Sequence, residues 1–308
     1  MFRWSVLSVL QFTKRQVLEY IHLADRIKRH GPNLYPDKTL VTLFYEPSTR
    51  TSASFQCAAI KMGCKVIAIT DKMSSVEKGE TLEDTIKTIN YYGDAIVLRH
   101  PEKGSAQRAD KVSNVPILNA GDGSGEHPTQ ALLDIYTIHN ELSKKGIRLD
   151  CERRQPLVVT FLGDLKHSRT IHSLVHMLAL FPNITFVYVN PLTLDMPEEI
   201  VLKVNELGYE QKILNLDQAI LITDILYVTR IQKERFANPE DYQATNHLKD
   251  RIDVSRMSQA KDTMLLMHPL PRLDEISVEV DSDPRAIYFK QVENGVYMRM
   301  AILDILFR

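Results

Sequence analysis

The sequence has little cysteine, almost no net charge and no long hydrophobic run, and each shortage excludes a class of protein. Its three cysteines, Cys57, Cys64 and Cys151, form no CxxC pair, so neither a disulfide framework nor a thiolate metal site is expected. The 38 basic and 39 acidic residues leave a net charge of −1, which removes the general electrostatic case for binding nucleic acid or an anionic membrane. No window approaches 18 apolar residues and no secretory signal is recognisable, so we expect a soluble, cytoplasmic protein.

Several short enzyme motifs are also missing. Segment 119–130 does not match GxGxxG because Glu126 stands where the last glycine belongs, and no GxxxxGK[ST] occurs, so dinucleotide and P-loop sites are not expected. His172 and His176 have the spacing of HExxH, but Ser173 replaces its glutamate. We interpret both as partly buried helix histidines, and we predict no metal and no cofactor.

Short apolar runs alternate with amphipathic segments along the whole chain. The runs have the length and the Val, Ile, Leu and Phe content of strands buried on both faces of a parallel sheet. This pattern predicts an α/β protein of two doubly wound domains with mainly parallel sheets, divided near the polar stretch 146–156. The predicted strands are 40–45, 65–70, 95–99, 115–120, 157–163, 185–190, 225–231 and 264–267.

Arginine lies at or just after the carboxyl ends of four of the predicted strands, as Arg50, Arg99, Arg169 and Arg230. Ligands of doubly wound sheets bind at the carboxyl ends of the strands. An isolated arginine there is more often a surface or salt-bridge residue, but four in a protein of net charge −1 predict a convergent cationic pocket. Such a pocket suits a small polyanionic ligand, for example phosphate together with carboxylates.

Two predicted helix starts carry further polar groups. Ser48-Thr49-Arg50-Thr51 supplies hydroxyls and a guanidinium beside free backbone N–H groups, a combination that suits an oxyanion; the alternative is that Ser48 or Thr49 simply caps the helix. His127 and Gln130 share a helix face and can present a donor and an amide to one ligand atom. The alternative there is a capping loop with incidental polar residues.

These segments resemble, in identity and order, the motifs of the carbamoyltransferases: Ser48-Thr49-Arg50-Thr51, Arg99-His100-Pro101, His127-Pro128-Thr129-Gln130 and His268-Pro269-Leu270-Pro271. Within that family the whole chain resembles the aspartate carbamoyltransferases, most of all the transcarbamoylase domains of animal multifunctional pyrimidine-synthesis proteins. Ornithine enzymes carry Cys-Leu-Pro where Pro269-Leu270-Pro271 stands. The resemblance implies transfer of a carbamoyl group from carbamoyl phosphate to the amine of L-aspartate, as in de novo pyrimidine synthesis.

The resemblance also implies roles for individual residues. Those implied to be catalytic are Arg50, Thr51, Lys78, Arg99 and His127. Those implied to bind carbamoyl phosphate are Ser48, Thr49, Arg50, Thr51, Ser75, Lys78, Arg99, His127, Gln130 and the Leu270 backbone. Those implied to bind aspartate are Lys78, Arg169, Arg230, Gln232 and Leu270.

The family's organisation implies a carbamoyl-phosphate-binding domain of residues 1–142 plus 288–308 and an aspartate-binding domain of 143–287. Ser75 and Lys78 match a loop that, in the family, enters the site of a neighbouring subunit, which implies a homotrimer with shared sites. The resemblance also allows other pyrimidine-pathway domains or chains as partners. Ser168 departs from the family, which usually has glycine before the carboxylate-binding arginine. If that position needs a positive φ, the added Cβ costs on the order of 1 kcal/mol and displaces Arg169.

Two alternatives stay open. A different acceptor such as ornithine lacks the second carboxylate that Arg230 and Gln232 are implied to bind. A catalytically silent or structural family member would be favoured by loss of a phosphate-site residue, and none of those named above is lost.

Overall fold

The computed structural model describes residues 4–70, 79–191, 193–236, 238–246 and 250–308. Ser75 and Lys78 therefore lie outside the described residues. The chain divides into two compact units, one of Met1–Tyr136 with Val292–Arg308 and the other of Thr137–Gln291.

Helices and strands alternate through the first unit. In chain order they are α1 (Lys14–His30), β1 (Thr39–Phe44), α2 (Thr49–Lys61), β2 (Lys65–Thr70), α3 (Leu82–Ile89), β3 (Ala95–His100), α4 (Ser105–Val112) and β4 (Ile117–Asp122). The strands form a parallel sheet in the order β2-β1-β3-β4. Apolar side chains of β1 and β3 pack with those of α3 and α4 to form a core on one side of this sheet.

The second unit repeats the pattern. Its elements are β5 (Leu157–Leu162), α6 (Arg169–Leu178), β6 (Ile184–Val189), α7 (Glu198–Glu206), β7 (Glu210–Ile213), α8 (Leu216–Ile222), β8 (Ile225–Val228), α9 (Pro239–Asn246), α10 (Val254–Gln259) and β9 (Leu265–Met267). Its parallel sheet has the order β7-β6-β5-β8-β9. Two longer helices, α5 (Pro128–Lys144) and α11 (Tyr288–Phe307), contribute residues to both units.

The predicted fold class, two parallel-sheet α/β domains, is confirmed, but two of the edge strands differ from prediction. β2 is not buried on both faces: it pairs with β1 at the sheet edge, and Ile67 is 38% exposed. β7 was not predicted, because its sequence Glu-Gln-Lys-Ile is polar and its side chains are mostly exposed. An edge strand is held by hydrogen bonds to one neighbour, so it needs no apolar run.

The N-terminal segment lies alongside β4. The Val6 N–H donates to the Ile117 carbonyl at 2.9 Å, and the Asn119 N–H donates to the Val6 carbonyl at 2.8 Å. Ser5 and Leu7 add side-chain-to-backbone bonds on either side of this bridge. Across the described ranges, no helix is long and apolar enough to cross a membrane.

Candidate active site

The N-terminus of α2 follows β1 after a short turn and is open. Ser48 occupies the N-cap position, but in the described chain its side chain makes no capping bond; its hydroxyl instead accepts a hydrogen bond from Arg99 Nη1 at 3.5 Å. Thr49 and Arg50 are exposed in the first turn, whereas Thr51 is buried. Side-chain capping by Ser48 is therefore the wrong interpretation, and the helix presents its positive end together with the Arg50 guanidinium.

Arg99 at the end of β3 is held by an acidic neighbour. Its Nε donates to Glu46 Oε2 at 3.1 Å, and the two side chains are only 18% and 24% exposed. The ion pair fixes the plane of the guanidinium and turns one edge of it toward Ser48. Sequence reasoning did not identify Glu46 as a partner of Arg99, although it lies two residues after the end of β1.

Gly123 brings the loop after β4 against the end of β3. Its φ is +58°, its N–H donates to the His100 carbonyl at 2.8 Å, and a Cβ at this position would lie 2.1 Å from the Pro101 carbonyl oxygen. Only glycine fits this close approach in this backbone conformation. The glycine-rich segment that leads into α5 thus lies against His100 and Pro101, the residues that follow Arg99.

Glu126 anchors the same loop to the N-terminal segment. Its carboxylate accepts hydrogen bonds from the Ser8 hydroxyl and the Val9 N–H, both at 2.6 Å. Burial raises the pKa of Glu126, and these two donors oppose that rise. The residue that breaks the GxGxxG pattern therefore has a structural role.

His127 and Gln130 lie at the start of α5, where Pro128 takes the first helical position. His127 is 4% exposed, and its Nδ1 is 3.4 Å from Thr129 Oγ1. The side-chain amide nitrogen of Gln130 donates to the buried Asp134 at 3.0 Å. This bond fixes the amide orientation, so the side-chain carbonyl oxygen of Gln130 is the atom that can accept a hydrogen bond from a ligand amino group.

In the second unit, Asp164 joins the loops after β5 and β8. It is fully buried, its Oδ1 accepts the His167 N–H at 3.0 Å, and its Oδ2 accepts the Gln232 N–H at 3.2 Å. Gly163 allows this proximity: its φ is +115°, and a Cβ there would lie 2.2 Å from the Thr229 carbonyl oxygen. One carboxylate thus positions the segments that carry Arg169 and Gln232.

Ser168 precedes Arg169 at the N-cap of α6 with φ −82°. That angle is in the ordinary range for a residue with a Cβ, so the condition for strain at this departure from the family is not met. The Ser168 hydroxyl lies 3.1 Å from Thr170 Oγ1. Arg169 itself is half-buried in the first turn of the helix.

Arg230, at the end of β8, forms a two-pronged ion pair with Glu234. One of the two hydrogen bonds measures 3.0 Å, and they raise the pKa of Arg230 above its ordinary value. Sequence reasoning missed Glu234, although its spacing of four residues from Arg230 is a recognisable signal. A carboxylate ligand at Arg230 would have to share the guanidinium with Glu234 or displace it.

Leu270, after β9, has φ +54°, an unusual value for a residue with a side chain, and its N–H donates to His268 Nδ1 at 2.8 Å.

Among the residues that the structure covers, no group of three or more His, Cys, Asp or Glu side chains could hold a metal ion. His172 and His176 are half-buried on α6, and His172 Nε2 is bonded to the Leu165 carbonyl at 2.7 Å. Burial lowers the pKa of both histidines.

The predicted site residues thus lie at strand ends, in two sets. The structure brings Ser48, Thr49, Arg50, Thr51, Arg99, His127 and Gln130 to the carboxyl edge of the first sheet. It places Arg169, Arg230, Gln232 and Leu270 at the carboxyl edge of the second.

Comparison with known proteins matches both units. Residues 5–140 match the family described as aspartate/ornithine carbamoyltransferase, carbamoyl-P binding domain, and residues 155–306 match the Asp/Orn binding domain of the same family. The multifunctional protein pyr1-3 of Dictyostelium discoideum is 46% identical over 98% of this chain, which spans 13% of that protein's length. The aspartate carbamoyltransferase catalytic subunit of Methanocaldococcus jannaschii is 44% identical, and the match covers 97% of this chain and 96% of the length of that subunit.

A solved structure agrees with these relatives. The aspartate transcarbamoylase of Trypanosoma cruzi, in complex with carbamoyl phosphate and aspartate, superposes with a TM-score of 0.89 at 40% identity. The match covers 97% of this chain and 95% of that one.

Proposed function

Because the chain belongs to the aspartate/ornithine carbamoyltransferase family, we propose that it transfers the carbamoyl group of carbamoyl phosphate to the amine of L-aspartate, giving N-carbamoyl-L-aspartate and phosphate. The observation that carries the proposal is the open N-terminus of α2, where Ser48 and Arg99 are bonded to each other beside the exposed Arg50. Relatives over 40% identical along the whole chain, which are aspartate carbamoyltransferases, support this acceptor.

In this proposal the first unit binds carbamoyl phosphate. The phosphate accepts hydrogen bonds from Ser48, Thr49 and Arg50 and from the backbone N–H groups of α2. Thr51, Arg99 and His127 donate to the carbamoyl oxygen, and the Gln130 carbonyl together with that of Leu270 accepts from the carbamoyl amino group. Neutral His127 suffices, because an imidazole N–H donates a hydrogen bond as an imidazolium does.

The reaction proceeds by attack of the aspartate amine on the carbamoyl carbon. A tetrahedral oxyanion forms, which the donors Thr51, Arg99 and His127 stabilise, and it collapses with loss of phosphate. The departing phosphate can take the amine proton, so the proposal includes no covalent enzyme intermediate and no protein general base. Catalysis comes from holding two anionic substrates together and from the oxyanion contacts.

The second unit binds aspartate in this proposal. Arg169 and Arg230 bind its two carboxylates, Gln232 adds a polar contact, and Leu270 contributes backbone groups. Glu234 is then the ion-pair partner of Arg230 before aspartate binds. The substrate carboxylate either replaces Glu234 or binds the guanidinium beside it. Ornithine has no second carboxylate to compete with Glu234, so aspartate is the better acceptor.

We also propose that the carbamoyl-phosphate-binding domain is residues 1–142 plus 288–308 and that the aspartate-binding domain is 143–287. The active form in this proposal is a homotrimer whose sites are completed by Ser75 and Lys78 of a neighbouring subunit. Other pyrimidine-pathway domains are proposed partners, since relatives include multifunctional proteins. The cytoplasm is the proposed location, in keeping with three unpaired cysteines.

The proposal is tested by incubating the purified chain with carbamoyl phosphate and either aspartate or ornithine, and measuring each carbamoylated product. We expect product with aspartate alone. Arg50→Ala should lower turnover at least about 100-fold, because it removes a charged donor at the anion site, yet leave the fold intact because Arg50 is exposed. No product from either acceptor by a folded protein would favour the catalytically silent alternative.

Shared sites are tested by subunit exchange. Lys78→Ala and Arg50→Ala assemblies are each expected to be inactive, and mixing them should restore activity, because some mixed sites receive both intact residues. Verified exchange without recovery would contradict sharing.

A further inference from the structure

The His268 ring has a hydrogen-bond partner at each nitrogen. The residue is 1% exposed at the end of β9; its Nδ1 is 2.8 Å from the Leu270 backbone nitrogen, and its Nε2 is 2.8 Å from Glu275 Oε1. A backbone N–H is always a donor, so Nδ1 must accept and carries no proton. The ring proton therefore sits on Nε2 and is donated to Glu275, which defines a single neutral tautomer.

Glu275 is itself held in place. It is 4% exposed, both its carboxylate oxygens accept the Leu273 N–H at 3.1 Å, and its backbone carbonyl accepts the Ile252 N–H at 2.8 Å. Burial raises the pKa of Glu275, and the hydrogen bonds that its carboxylate accepts from His268 and from the Leu273 N–H oppose that rise. A charged acceptor thus faces His268 Nε2 from a fixed position.

The dyad acts on a backbone conformation that is unfavourable by itself. Leu270 has φ +54°, in the left-handed region, which is unfavourable for a residue with a Cβ. Such a conformation persists only when its surroundings hold it. The bond from the Leu270 N–H to His268 Nδ1 closes over Pro269 and fixes the Pro269–Leu270 peptide plane, so it holds the N-terminal side of Leu270, from which the direction of the Leu270 carbonyl follows.

We propose that His268 and Glu275 form a positioning dyad for the transferase reaction. Glu275 fixes His268 in its Nε2–H tautomer, His268 Nδ1 holds the Leu270 N–H, and the Leu270 carbonyl is thereby aimed at the carbamoyl amino group. The inference rests on the proposed function, in which Leu270 accepts from that group. Neither dyad residue touches a substrate.

The tautomer is tested without any activity measurement. In ¹⁵N-histidine-labelled full chain near pH 7, two-dimensional NMR should show one histidine with an unprotonated Nδ1 and a protonated Nε2. Its signals should disappear in His268→Asn. A His268 signal protonated at Nδ1, or at both nitrogens, would overturn the dyad whether or not the chain is an aspartate carbamoyltransferase.

The positioning role is tested by two variants that each keep half of the dyad. Asparagine places an acceptor near the position of Nδ1, whereas glutamine places a donor near that of Nε2 and leaves the Leu270 N–H without its acceptor. We expect His268→Asn to keep kcat within about fivefold, and His268→Gln to lose about 10- to 100-fold, the effect of an unpaired buried donor. The KM for carbamoyl phosphate should rise in His268→Gln, while the Kd of inorganic phosphate should change less than twofold.

His176→Asn and His176→Gln are the matched controls, because His176 is a half-buried histidine of α6 that no role in the site requires. Both should match the wild type. Equal loss of kcat in the two His268 variants, or a parallel loss of phosphate binding, would reduce His268 to a general structural residue. If thermal unfolding shows that His268→Gln does not fold, the NMR result on the wild type alone decides the proposal.

Discussion

Ser48 Oγ accepts a hydrogen bond from Arg99 Nη1 at 3.5 Å, although Ser48 stands at the N-cap of α2. Because its hydroxyl is turned to the arginine, Ser48→Ala should change the free energy of unfolding by less than about 0.5 kcal/mol. The same change should weaken phosphate binding about tenfold, measured by calorimetry, since it removes a hydroxyl donor to an anion.

Thr13→Ala is the matched control for Ser48→Ala. Thr13 does cap its helix, accepting the Gln16 N–H at 3.3 Å within a capping box. Its removal should cost about 1 kcal/mol of stability and leave phosphate binding unchanged. If Ser48→Ala instead lowers the stability and leaves phosphate binding unchanged, Ser48 is a helix cap and does not bind the phosphate.

Asp164→Asn should selectively weaken the binding of aspartate. Two backbone N–H groups, of His167 and Gln232, each require an acceptor oxygen of Asp164, and an amide supplies only one. The unmet donor costs about 1–3 kcal/mol, so we expect the KM for aspartate to rise at least about fivefold while that for carbamoyl phosphate stays within twofold. Asp253→Asn is the control, because Asp253 accepts one N–H, that of Arg256, and asparagine can do the same.

Ser168→Gly should not improve aspartate binding. Ser168 has φ −82°, so its side chain imposes no left-handed strain on Arg169. Glycine should leave the KM for aspartate within twofold and lower the free energy of unfolding by about 0.4–1 kcal/mol, because it adds freedom to the unfolded chain. A clear drop in that KM would mean that Ser168 does displace Arg169.

Stability should fall as the pH decreases, in part because of His172. Burial lowers the pKa of His172 below its ordinary value of 6.5, so on acidification the unfolded chain takes up a proton before the folded chain does. The unfolding free energy then decreases through pH 6.5 by up to about 1.4 kcal/mol per pH unit for this group. His172→Gln keeps a donor for the Leu165 carbonyl but cannot titrate, so its denaturation midpoints should depend less on pH. Equal slopes for both proteins would contradict this.

The fold was largely predictable because a buried parallel strand needs a run of apolar residues, as in Leu157–Leu162. β7 escaped prediction because its place at the sheet edge requires no such run. The arginines of the candidate site were predictable from their positions at strand ends, and the spacing of Glu234 from Arg230 was a usable signal, but the contact between Asp164 and Gln232 was not predictable. Asp164 and Gln232 are 68 residues apart, and only the adjacency of β5 and β8 brings them together.

The segment around Val6 has a consequence for association between molecules. β4 is the last strand of its sheet, and without that segment it would offer unpaired N–H and C=O groups to any other strand. Val6 occupies those groups at Ile117 and Asn119, while Ser8 and Val9 secure the same segment to Glu126. Deleting the first ten residues should therefore expose the backbone groups of β4 as an unpaired strand edge and also remove the anchor of the loop that carries His127. We expect the same truncated protein both to aggregate and to lose phosphate binding.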